Sequence, residues 1–196
     1  MLTHPLWMLD FETCATAVPL FDGTRPYQQV PFQFSLHKVA EDGTVQHVEY
    51  LWEEDTDPRP GLVEALKAIT DEGTVLAFNA SFEKRVIREL AEAYPDEEAF
   101  LLGLNQRMDD LIIPFRQFWL YDPAQHGSCS IKKVLPALTE TSYDGMDISK
   151  GDQAAREWRR AINGAEDKEA ILEALRKYCE QDTQAMIDIM NILKSL

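Results

Sequence analysis

Apolar and polar positions alternate in short runs through the first third of the chain and recur in three- and four-residue steps later. Leu6-Trp7-Met8-Leu9 is an apolar run ending in Asp10-Phe11-Glu12-Thr13, and it predicts an opening strand. Thr13 to Gln29, with Pro19, Asp22-Gly23 and Pro26, reads as a long loop. Phe32 to His37 alternates with period two, Asp42-Gly43 signals a hairpin turn, and Val45 to Trp52 alternates again as the returning strand. His37 and His47 fall on polar positions of these strands and are read as exposed. Leu62, Val63, Leu66 and Ile69 follow helical spacing, with Gly73 past the helix end, and Thr74 to Phe78 is a short apolar strand. Asn79-Ala80-Ser81 supplies N-cap residues for a helix from about Phe82 to Ala93.

A short helix to about Asn105 and a last strand within 107–111 follow. Ser130 can cap a helix through Leu138, another covers about 152–162, and the final helix runs roughly 167–193. Residues 112–120 show no clear period. Five strands interleaved with and followed by helices describe an α/β fold, a mixed five-stranded sheet flanked by helices. Periodicity alone does not give the strand order.

A chain of 196 residues is long enough for a sizeable core and is read as a single domain over 1–196. No apolar run reaches membrane-spanning length, and the N-terminus lacks a basic-then-apolar signal pattern. The three cysteines, Cys14, Cys129 and Cys179, have no paired spacing, which argues against a disulfide framework and for a reducing cytoplasm. His126 and Cys129 are three apart, but nothing else resembles a zinc set. The formal net charge of −15 argues against tight nonspecific duplex binding. It is compatible with phosphates received by metal ions, with a local basic patch, or with very short substrates.

Three elements each set acid on an apolar face. Asp10 and Glu12, two apart on a strand, point to the same side. Glu83 lies beside the helical stripe Phe82, Val86, Ile87, Leu90 and Tyr94. An acid in a first helical turn is also favoured by the helix dipole, which accounts for Glu83 without any function. On the last helix, Ile171, Leu175, Tyr178, Cys179, Asp182, Met186, Ile189 and Leu193 recur along one face. Asp182 is out of character there, since an ionised carboxylate on a core stripe is costly unless paired or metal-bound. Four carboxylates meeting at one point could hold two divalent cations, an arrangement that drives phosphodiester hydrolysis. Lys132 and Lys133, near the start of a helix whose dipole opposes them, could serve a phosphate, but are read as ordinary solvated surface.

These motifs resemble the DEDD superfamily of 3′–5′ exonucleases, the DnaQ-like type with a ribonuclease H-like fold. Its Asp-x-Glu first motif matches Asp10-Phe11-Glu12-Thr13. Its Asn-x-x-x-Asp second motif looks like Asn79-Ala80-Ser81-Phe82-Glu83, with Glu at the acidic place. Its Tyr-x-x-x-Asp third motif matches Tyr178-Cys179-Glu180-Gln181-Asp182. The histidine branch would need His at the position of Lys177, so the chain is similar to the tyrosine type. Gly23-Thr24-Arg25-Pro26-Tyr27 and Gly127-Ser128-Cys129-Ser130-Ile131-Lys132-Lys133 resemble an uncharacterised branch of that superfamily, often found as one domain of a larger protein.

The resemblance implies a catalytic set of Asp10, Glu12, Glu83, Tyr178 and Asp182. The four carboxylates would hold two divalent cations, Mg²⁺ or Mn²⁺, with Tyr178 orienting the attacking water. It implies single-stranded DNA or RNA as substrate, met by Phe11, Thr13, Asn79 and Phe82. Glu83 adds one methylene to the expected aspartate, about 1.5 Å of reach. Two other readings remain: a weak or inactive domain that binds nucleic acid or protein, and a hydrolase of short oligonucleotides.

Overall fold

The computed structural model describes residues 2–196. Three strands open the chain, β1 (Leu6–Cys14), β2 (Val30–Val39) and β3 (Val45–Leu51). Helix α1 (Arg59–Leu66) leads to β4 (Thr74–Ala77), then α2 (Ser81–Ala93), α3 (Glu98–Gln106) and the three-residue β5 (Met108–Asp110). The helices α4 (Ile113–Arg116), α5 (Ile131–Leu138), α6 (Gly151–Ile162) and α7 (Lys168–Ser195) complete it. The sheet order is β3-β2-β1-β4-β5. β1 and β3 both run antiparallel to β2, whereas β4 is parallel to β1 and β5 is parallel to β4. This is an α/β fold with a mixed five-stranded sheet flanked by helices, the ribonuclease H-like arrangement.

Alternation along β1 divides the core. Trp7, Leu9 and Phe11 face α1, α2 and α3, packing with Leu62, Leu66, Val86, Ile87, Leu90 and Leu101. Leu6 and Met8 face the other way, onto Met186, Ile187 and Met190 of α7. Asp10 and Glu12 continue that second row, so strand periodicity alone aims both acids at the last helix. The register pairs Asp10 with Ser35, Met8 with His37 and Glu12 with Gln33. The polar residues of β2 therefore share the face that α7 covers, and the Gln33 side-chain amide donates to the Leu175 carbonyl at 2.9 Å.

Several expectations are corrected by that docking. His37 is buried and His47 half-buried, because α7 closes over a face whose alternation suggested solvent. Asn79 does not cap α2 with its side chain: the residue before the helix is Ala80, and Asn79 adopts a left-handed backbone with φ of 75°. Residues 112–120, patternless in sequence, contain the single turn of α4. No helix among the described residues is long and apolar enough to cross a membrane.

The face under α5, α6 and α7 carries the largest buried side chain. Trp158 of α6 stacks on Phe32 of β2 at a centroid distance of 4.4 Å and donates its indole N–H to the Trp52 carbonyl at 2.7 Å. Trp158→Ala should cost about 3–5 kcal/mol in urea unfolding through the cavity and the unpaired carbonyl it leaves. A loss below about 1 kcal/mol would show that α6 is not anchored this way.

Candidate metal centre

A bulge after Glu12 shifts the register between β1 and β2, and a cleft of about 590 Å³ opens there. Asp10 and Glu12 enter it from β1, Glu83 from the first turn of α2, and Tyr178 and Asp182, one turn apart, from α7. Lys132 of α5 and the start of α6 complete the wall; a Cβ built on Gly151 would lie 3.5 Å from Glu12 Oε2. Carboxylate oxygens of Asp10, Glu12 and Asp182 lie within 4.8 Å of one another. Glu83 lines the same cleft outside that closest group, and its Oε2 is buried with no hydrogen-bond partner.

Burial and mutual repulsion govern the electrostatics. Burial first, then the charges of Asp182, Glu83 and Glu12, hold the Asp10 carboxyl well above the usual range. Glu12 is pushed up to about 8 by burial and Asp182, against the opposing pull of Lys132. Glu83 is pushed up to about 8, chiefly by burial, with Asp110 and Asp182 adding repulsion. Asp182 rises only to about 6, because burial is opposed by a hydrogen bond from the Tyr143 hydroxyl at 2.6 Å and by Lys132. The phenols of Tyr143 and Tyr178 are raised by burial and by Asp182, so both stay protonated.

One cation faces this cluster from within the chain. Lys132 Nζ donates to Tyr178 Oη at 2.7 Å and to the Ser149 carbonyl at 2.5 Å, and lies over the rings of Tyr178 and Tyr143. A single ammonium does not balance the buried Glu12, Glu83 and Asp182 together with the half-buried Asp10. The donor set is all oxygen, and an orphaned carboxylate oxygen on Glu83 adds a free ligand. Hard divalent cations such as Mg²⁺ or Mn²⁺ fit it.

All nine residues singled out from the sequence line the cleft. The two phenylalanines meet the cleft differently. Phe11 is buried on the opposite side of β1, edge-on to Phe34 at 6.4 Å, so its contribution to the cleft is main chain rather than an aromatic wedge. Phe82, which core packing would claim, is half-buried with the Arg85 guanidinium 5.4 Å from its ring centre. Thr13 donates to Gln29 Oε1 at 2.5 Å, tying the long loop to the cleft floor. Asn79 Oδ1 accepts from Arg116 at 3.0 Å and its backbone N–H donates to Asp110 at 2.9 Å.

Lys132 is not solvated surface as its sequence context suggested; it is turned inward by Tyr178 and Ser149. Tyr143 carried no local signal, because only tertiary folding brings its loop to Asp182. Arg156 and Arg159 of α6 also line the cleft and supply the local positive charge that the overall composition lacks.

The shifts set a sign for stability. Glu12 and Glu83 start from about 4.5 in an open chain and reach about 8 when folded. Between those values the folded state binds more protons than the unfolded state, so stability falls as pH rises through the window. Thermal melts in EDTA should therefore decline from about pH 5 to about pH 8, and Mg²⁺ or Mn²⁺ should flatten the decline. Glu83→Gln should raise stability in EDTA at about pH 8 by roughly 1 kcal/mol or more. A flat or rising profile in EDTA would refute the buried-acid account.

Comparisons with known proteins agree in covering the sheet. A relative from Mycoplasma pneumoniae, "Uncharacterized protein MG366 homolog", is 28% identical over 94% of this chain and 31% of its own length. "Uncharacterized protein MG366" of Mycoplasma genitalium is 27% identical over 95% of the chain and 32% of its own, and "Uncharacterized protein UU173" of Ureaplasma parvum is 27% identical over 95% and 31%. The chain thus spans about a third of the length of these relatives. A family model matches residues 7–130, which hold Asp10, Glu12 and Glu83 but stop short of Lys132, Tyr178 and Asp182. By that match the chain belongs to the family described as a domain of unknown function, DUF2779.

Proposed function

We propose that the protein is a metal-dependent 3′–5′ exonuclease of the tyrosine-type DEDD kind, releasing nucleotides from the 3′ end of single-stranded DNA or RNA. The observation that supports this most is the meeting of Asp10, Glu12 and Asp182, from the first strand and the last helix, with Tyr178 one turn from Asp182. Asp10, Glu12, Asp182 and Glu83 would hold two divalent cations. Bound there, the cations supply Lewis-acid activation of water and stabilisation of the leaving 3′ oxygen.

The chain's own groups have separate tasks. Lys132 donates to Tyr178 Oη, which leaves the phenol proton free to point into the cleft and orient a water. The same ammonium, with Arg156 and Arg159, offers positive charge to phosphate oxygens along one wall. The main chain at Phe11 and Glu12, with Thr13, lines the cleft and would meet a terminal sugar. Phe82 gives a half-exposed ring on which a last base can stack whatever its identity. Water adds to the terminal phosphodiester, the bond from phosphorus to the 3′ oxygen breaks, and a 5′-mononucleotide leaves.

Glu83 favours a second reading, since its longer side chain stands outside the closest carboxylate group. In that reading the domain binds nucleic acid or a protein and cuts little. The deciding test is a time course with 5′-labelled single-stranded DNA and RNA in EDTA, Mg²⁺ and Mn²⁺. The exonuclease should give a metal-dependent ladder shortening from the 3′ end. Asp10→Ala and Asp182→Ala should each lower the rate by about 10³ or more. Lys132→Met and Tyr178→Phe should each cost about 10²-fold. No shortening of either substrate by folded protein would leave the binding-domain reading.

A further inference from the structure

A second group of potential ligands lies on the other side of α7 from Asp182. His37 of β2 and His47 of β3 are directly paired across the hairpin, with ring centres 4.4 Å apart. Glu180 of α7 brings Oε1 to 3.7 Å from His47 Nδ1, and one ligand atom from each of the three residues lies within 4.8 Å of the others.

Hydrogen bonding fixes which atoms are free. The Glu180 carbonyl can only accept, so the Thr183 hydroxyl donates to it at 3.0 Å. Thr183 Oγ1 must then accept from both its other contacts, His37 Nδ1 at 2.8 Å and the Ser35 hydroxyl at 2.6 Å. Ser35, having donated its proton, accepts from His47 Nε2 at 2.9 Å. Both imidazoles are thereby held in one tautomer, with a lone pair left on His37 Nε2 and on His47 Nδ1. Neither atom has a hydrogen-bond donor among the described residues. A ring nitrogen from each histidine and a carboxylate oxygen of Glu180 thus share one small space, with His47 Nδ1 turned toward the carboxylate.

We infer that His37, His47 and Glu180 form a site for a borderline divalent metal ion, Zn²⁺ by its two-nitrogen, one-carboxylate donor set, distinct from the all-oxygen cleft. Tetrahedral zinc with metal–ligand distances near 2.0–2.1 Å separates its donors by roughly 3.3–3.4 Å. The 3.7 Å pair is near that value, and the half-exposed Glu180 side chain can close the remainder. Ser35 and Thr183 act as the outer hydroxyls that orient the rings. The partly exposed His47 gives the ion a way in. Once bound, it ties the β2–β3 hairpin to α7 at Glu180.

The test is Co²⁺ titration of untagged protein in excess Mg²⁺, followed by visible absorption and by displacement with Zn²⁺. One equivalent should give the intense bands of tetrahedral Co²⁺, bleached by Zn²⁺. The bands should persist in Asp10→Ala, while His47→Ala and Glu180→Gln, both at partly exposed positions, should each weaken binding by about 10-fold or more. Absent bands, bands that survive both substitutions, or bands lost in Asp10→Ala would overturn the assignment. None of these outcomes bears on the exonuclease reading, which rests on the other cluster.

Discussion

Repulsion among carboxylates shut away from water is the constraint to which the rest of this molecule answers. Asp10, Glu12, Asp182 and Glu83 come from three elements; burial penalises the charged form of each, and neighbouring acids add to the penalty at Asp10, Glu12 and Glu83. A fold shaped by stability alone would fill the space beneath α7 with aliphatic groups, as it does one turn further along at Met186 and Met190. The surroundings instead ease the cost in small ways. Tyr143 donates to Asp182, Lys132 brings an ammonium, and the start of α6 abuts Glu12. Each favours negative charge without removing it, which is what a cation-receiving centre requires.

Much of this was legible in the chain because it depends on short-range periodicity. Two acids two apart at the end of an apolar strand had to share a face, and Asp182 stood out on a stripe otherwise fit for a core. The sheet followed likewise from alternation and turn residues. What periodicity could not carry was the partner of each face. His37 and His47 lie on the polar side of a hairpin, and only the distant α7 makes that side an interior. The same holds for Lys132, whose direction is decided by Tyr178 forty-six residues later. Phe11 and Phe82 part company for a related reason. Strand alternation sends Phe11 away from the acids beside it, whereas the start of α2 leaves Phe82 at the cleft edge.

The two polar clusters along α7 share a logic of proton supply. Around Asp182 the acids outnumber the donors available to them. Around Thr183 a carbonyl at one end of a hydroxyl chain orders every proton and leaves the two ring nitrogens at the other end without one. In both places the backbone is fully folded while electron-pair donors outnumber the positive groups that face them. Against a net charge of −15 overall, the cations Lys132, Arg156 and Arg159 stand out along one wall of the cleft.

The separation of Asp10 and Asp182 along the sequence has a consequence for synthesis. A ribosome finishes the central strand well over a hundred residues before the helix that completes the carboxylate cluster. Until then the growing polypeptide holds only part of the cluster, and its first acids remain apart from Asp182. Whatever chemistry the assembled cluster performs is thereby withheld from the nascent chain, and a truncated product carries none of it.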